Sequence, residues 1–188
     1  MKNMHSKMNY SMKTRHLILC ALVTLMSCGP RNTPDRPLNP DPEPDNSPKA
    51  AKIQYAFATN DEMVDLFYIK ISYLDGSGSM QSVTLSEPAW AVSAQSPSLP
   101  AEFAMHVEIT MRGMADVTKY DVVPVNYGWS YVATATNSEG LSVGEVYRNA
   151  KDVELDVAPN KVSTWVETYQ SHPIDIHVEF DKDGKIVK

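Results

Sequence analysis

The stretch Glu102-Phe103-Ala104-Met105-His106-Val107-Glu108-Ile109-Thr110-Met111, "EFAMHVEITM", decides the fold class. Phe103, Met105, Val107, Ile109 and Met111 are apolar at every second position, and Ala104, His106, Glu108 and Thr110 fall between them. Side chains alternate across a strand with a period of two, so this pattern predicts a strand with one face in a core and one in water, as antiparallel sheets have. Working outward, "MVDLFYIKISYL" (63–74) repeats the pattern, with Phe67, Ile69, Ile71 and Tyr73 set against Leu66, Tyr68, Lys70 and Ser72. "DGSGS" (75–79) then turns the chain back into "MQSVTLS" as a hairpin loop. "YGWSYVATAT" (127–136) places Tyr127, Trp129, Tyr131, Ala133 and Ala135 on one side, and "NSEG" (137–140) closes a second hairpin into "LSVGEVY". "VELDV" (153–157) and "IDIHVEF" (174–180) complete the strands.

One segment breaks the period. Val162, Trp165, Val166 and Tyr169 recur at i, i+3, i+4 and i+7, with Asn160 placed to cap the start and Pro173 to stop the end. That spacing predicts a short helix over about 161–171, although Val162, Thr164, Val166 and Thr168 also fit a strand. Short strands punctuated by turn residues predict a mainly β fold, an immunoglobulin-like antiparallel β-sandwich with one short helix, over residues 51–188. The cysteine pair and partner tryptophan of true immunoglobulin domains are not present in that segment.

The N-terminal part has a different composition. Lys2, Lys7, Lys13 and Arg15 are the only formally charged residues before Cys28, and an apolar run extends from Leu17 to Met26. A basic region, a short apolar region and small residues before a cut are the parts of an export signal, expected at 1–27. A transmembrane anchor needs about 20 apolar residues, and this run is roughly half that. Translation from Met12 would still yield a complete signal. Leu25-Met26-Ser27-Cys28 resembles the bacterial lipobox, with leucine at the third position before the cut, a small residue next to it and the obligatory cysteine. The resemblance implies cleavage before Cys28 and lipid on its sulfur and new amino group, and several acyl chains suffice for stable anchoring. Cys20 would leave with the signal, so no disulfide would remain and stability must come from the core.

Residues 28–50 follow as a tether. Seven of the 13 prolines lie between Pro30 and Pro48, mixed with Asp, Asn and Ser. Such a segment has little to bury and favours polyproline II at ~3.1 Å per residue, a spacer on the order of 60 Å. The layout is similar to small Bacteroidetes-type lipoproteins that carry one β-sandwich domain behind a proline-rich leader. That resemblance implies an outer-membrane location, on the periplasmic face or the cell surface. Surface-bound members usually carry acids directly after the lipidated cysteine, whereas here Gly29, Pro30, Arg31, Asn32 and Thr33 precede Asp35.

Net charge is −6, and loss of four cationic side chains with the signal leaves −10. An acidic surface argues against nucleic acid and against docking on anionic lipid. The expected partners are therefore the membrane, through the lipid anchor, and an unidentified protein or glycan.

Chemistry-bearing residues are few. His106-x-Glu108 and His177-x-Glu179 each put a nitrogen and an oxygen on one strand face, and neighbouring strands would bring four zinc-type ligands together. The simpler reading is a solvated strand face. "DKDG" (181–184) resembles the opening of a calcium loop but lacks its later ligands, and a plain turn explains it. Gly140-Leu141-Ser142-Val143-Gly144 matches the letters of a nucleophile elbow, with His106, His172 and His177 as bases on offer, yet Ser142 falls in a predicted strand. Trp90, Tyr127, Trp129 and Tyr131 could line a sugar platform or belong to the core, and their alternation favours the core. The reading is a non-catalytic, lipid-anchored binding or scaffolding module with no catalytic residues and no cofactor. A carbohydrate-binding module and a small hydrolase or metal-dependent protein are the alternatives.

Overall fold

The structure, a computed structural model, describes residues 45–187. Leu25, Ser27 and Cys28, the signal and the tether up to residue 44 lie outside the described residues. Among the described residues eight strands form a sandwich of two four-stranded antiparallel sheets. In chain order they are β1 (Ala50–Thr59), β2 (Phe67–Leu74), β3 (Met80–Thr84), β4 (Ala89–Ser96), β5 (Ala101–Met111), β6 (Val123–Thr136), β7 (Ser142–Val157) and β8 (Ile174–Phe180). Among the described residues two α-helices accompany them, α1 (Asp61–Leu66) and α2 (Val162–Ser171). The first sheet runs β4-β1-β6-β7 and the second β3-β2-β5-β8.

The alternation in "EFAMHVEITM" becomes the centre of the second sheet. Phe103, Met105, Val107 and Ile109 are fully buried, while Met111 at the strand end is exposed. Ile69 and Ile71 on β2, with Ile176 and Val178 on β8, extend the same buried face. From the first sheet come Ile53, Tyr55, Phe57, Val123, Val125 and Ala133. Tyr55 and Tyr73 meet between the sheets at 6.4 Å.

Three hairpins share one local device. In each, an Asp or Asn side chain accepts hydrogen bonds from the backbone N–H groups two and four residues on, and a glycine three residues on has a left-handed φ. Asp75 holds Ser77 and Ser79, with Gly78 at +80°. Asn137 holds Glu139 and Leu141, with Gly140 at +77°. Asp181 holds Asp183 and Lys185, with Gly184 at +73°. Glycine occupies that conformation without the steric cost a Cβ would bring. "DKDG" is thus the plain turn expected.

The structure corrects four local expectations. Residues 61–66 are helical rather than strand, because Asn60 caps them by accepting from Met63 N–H and Met63 and Leu66 turn into the core. "LSVGEVY" and "VELDV" belong to one strand, since the intervening polar residues stay paired with β6 from Ala133 to Val123. A strand at 89–96 joins the first sheet, its small outer residues having hidden the alternation. The α2 helix forms over 162–171, but Asn160 does not cap it; a 3-10 turn at Pro159–Lys161 leads in, with no side-chain cap bond. Val162, Val166 and Tyr169 are buried as the spacing required, and Trp165 packs edge-on against Phe67 at 5.4 Å.

Candidate functional site

Antiparallel pairing of β5 with β8 places the two histidine-bearing strands side by side. His106 lies opposite Asp175, His177 opposite Ala104, and Glu102 opposite Glu179. All project from the outer face of the second sheet, because Phe103, Met105, Ile176 and Val178 take the inner one. The sequence pattern thus located one polar face on adjacent strands, but its four residues do not converge. His177 Nε2 meets Glu102 Oε1 at 2.9 Å, and His106 Nδ1 stands 3.8 Å from Asp175 Oδ1. Glu108 pairs with Lys70 on the other side, at 3.4 Å. Each histidine has turned to a carboxylate across the strands instead of its own sequence neighbour. Among the described residues no three His, Cys, Asp or Glu side chains assemble to hold a metal ion. Glu102, Asp175 and Lys70 were not singled out from sequence. Their strand parity was legible, but only the register made them partners.

The aromatic candidates face inward. On the inner side of the first sheet, Phe57 lies between Trp90 on β4 and Trp129 on β6. Both tryptophans are half-buried and packed against the core, and Trp90 lies 5.4 Å from the Tyr73 ring. Tyr127 stacks on Phe57 at 6.2 Å and 11°. Ser142 opens β7, which continues to Val157, so the strand-to-helix turn that a nucleophile elbow needs is not formed there. Gly144, at +77°, belongs instead to a bulge where β7 slips register against Thr134 and Ala135.

The ends of the sandwich differ in kind. At one end the chain enters β1, and Lys49 N–H donates to the Thr136 carbonyl at 2.8 Å. A cleft of about 360 Å³ lies here among Asn46, Pro48, Gly144, Glu145, Asp183 and Gly184. The opposite end carries α1 and the loop from Arg112 to Val122. Arg112 clamps that loop's base: its Nε donates to the Val64 and Phe67 carbonyls at 3.0 and 3.2 Å, and its guanidinium lies 4.3 Å over the Tyr68 ring. Beyond the clamp, Met114 is 99% exposed, and Met111, Val122 and Tyr68, at or beside the strand ends on that side, are exposed too. Loops carried by a rigid scaffold are where binding residues concentrate, and this one bears the most exposed large apolar side chain among the described residues. No sequence signal separated this methionine from the others, because exposure is a tertiary property.

No protein-family model matches the chain, and no curated protein matches it. No helix among the described residues is long and apolar enough to cross a membrane.

Proposed function

We propose that the protein is a non-catalytic binding or scaffolding module, held to the bacterial outer membrane by lipid on Cys28 and presenting its far end to a protein partner. The signal-like N-terminus, the lipobox-like Leu25–Cys28 and the proline-rich tether support the anchor. The observation that carries the binding role is the opposition of the two ends. The chain arrives through Asp45–Lys49 at one, and the clamped loop with exposed Met114 stands at the other. A module hung by the first end offers the second to its surroundings. The inward turn of Trp90 and Trp129 weighs against the carbohydrate-binding alternative.

Two measurements test this reading. An alkyne fatty acid fed to expressing cells labels the wild-type chain and not Cys28→Ala; equal labelling, or none in either, refutes the anchor. A photo-crosslinking residue at position 114 captures a defined protein, and one at Glu139 in the entry-end hairpin does not. Equal capture from both, or none from position 114, refutes presentation of the far end.

A further inference from the structure

Strand β7 is 16 residues long and forms one edge of its sheet. An edge strand leaves a row of N–H and C=O groups unpaired, a template for another strand. The other three edges are shorter, and two of them are covered at one end. β3 has five residues. Gly76, in the turn after β2, sits so close to β4 that a Cβ there would lie 1.5 Å from the Gln95 carbonyl oxygen. β8 is crossed by the C-terminal segment, with Val187 N–H on the Glu179 carbonyl at 2.9 Å and Phe180 bridged to Ile186. Among the described residues β7 pairs with β6 alone, and every residue from Arg148 to Asp152 is exposed. The bulge at Gly144 and Glu145 lies at one end, so the run from Tyr147 onward is regular.

The charges along that run are opposite about a central small residue. Arg148 precedes Ala150 by two positions and Asp152 follows it by two, all three on the outer face. We propose that the β7 edge pairs antiparallel with the β7 edge of a second copy, on a two-fold axis at Ala150, fusing two four-stranded sheets into one. In this register Arg148 of each copy faces Asp152 of the other, Asn149 faces Lys151, and Tyr147 faces Val153. A two-fold axis forms every such pair twice. Opposite charges directly across a ladder stabilise it and like charges oppose it, which selects this register over its neighbours. An axis at Lys151 would give Arg148 an acid, Glu154, but sets Lys151 against itself; one at Asp152 would give it Asp156 but sets Asp152 against itself; and one at Asn149 leaves Asp152 facing Val146. On the outer face, Ala91, Ala56, Ser130 and Ala150 form one row across the sheet. No bulky side chain in that row obstructs a neighbour.

The test uses the full chain carrying Ala150→Cys and a short bismaleimide. It yields a crosslinked homodimer, while the wild type (which controls for Cys20 and Cys28) and Ala91→Cys, on the far edge strand, do not. Arg148→Asp in the Ala150→Cys background lowers the dimer yield about five- to tenfold, since two pairs become repulsive. Adding Asp152→Arg restores it. Unchanged thermal midpoints show that these exposed substitutions leave the fold intact. A dimer yield for Ala150→Cys no greater than for wild type, capture of a different protein only, or failure of the double exchange to restore the dimer overturns the proposal.

Discussion

The hydroxyl of Tyr169 on α2 donates to the backbone carbonyl of Val107 on β5 at 2.8 Å, across 62 residues of sequence. It pins the helix to the middle of the second sheet, where the pairing of β5 with β8 ends at Val107 and Ile174. Tyr55 is buried as well, yet its hydroxyl has no hydrogen-bond partner among the described residues. The two tyrosines therefore respond oppositely to loss of the oxygen. Tyr169→Phe costs about 1–2 kcal/mol, because a buried carbonyl loses its donor. Tyr55→Phe is neutral or stabilising, because it removes a hydroxyl that is desolvated without return. Urea unfolding of both variants measures the difference.

Alkali exposes the same pair. Burial pushes both the Tyr55 and the Tyr169 hydroxyl well above the ordinary tyrosine value, with a smaller push on Tyr55 from Tyr131. The neutral phenol is the form the fold holds, so the stability is complete below pH ~10, where the unfolded chain also keeps its proton. It is lost as pH rises above that value. The thermal midpoint is expected to fall between about pH 10 and 11.5, and Tyr55→Phe to flatten part of that fall.

The Asp75 turn makes an acid-side counterpart. Hydrogen bonds from Ser77, Gln81 and Ser79 hold its carboxyl down at about 2. A depressed carboxylate contributes stability above the unfolded value and loses it as pH falls toward about 2. An NMR titration of this side chain is expected to find its midpoint near there. Asp75→Asn removes that acid dependence and leaves Asn137 and Asp181 to hold the other two turns.

Neighbouring glycines in that turn separate crowding from backbone strain. A methyl at Gly76 would strike the Gln95 backbone, so Gly76→Ala forces the hairpin off β4 and costs about 3 kcal/mol. Gly78 has open space but a φ of +80°, so Gly78→Ala costs about 1 kcal/mol of conformational strain. Amide exchange reads the distinction: β4 loses protection in the first variant and keeps it in the second.

Phe57 is 1% exposed, between Trp90 and Trp129 and stacked on Tyr127. Phe57→Ala is expected to cost about 3–5 kcal/mol, since its close-packed aromatic neighbours cannot collapse into the space. Thermal denaturation followed by tryptophan fluorescence checks it, because both flanking indoles change environment together.

Strands with bulky alternation, such as β5, β2 and β8, were legible because a period of two survives without knowledge of any partner. So were the hairpins, whose aspartate or asparagine and glycine act within five residues. β4 was not, because Ala89, Ala91 and Ser93 contrast weakly with the Trp90, Val92 and Ala94 between them. The α1 helix escaped because Met63 and Leu66 sit three apart, a spacing that merges with the strand beginning at Phe67. Its Asn60 cap was the available signal.

For the histidine face, strand parity put His106, Glu108, His177 and Glu179 on polar faces, and the register then gave His177 to Glu102 and Glu108 to Lys70. Alternation, turn chemistry and the i, i+4 rhythm of α2 operate within a few residues, so the order of amino acids suffices to set them. Which strands adjoin, which carboxylate meets which histidine, and that Met114 stands in water while Trp129 packs on the core arise from contacts between segments far apart in the chain. Those contacts are settled only when two sheets must bury their apolar faces against each other.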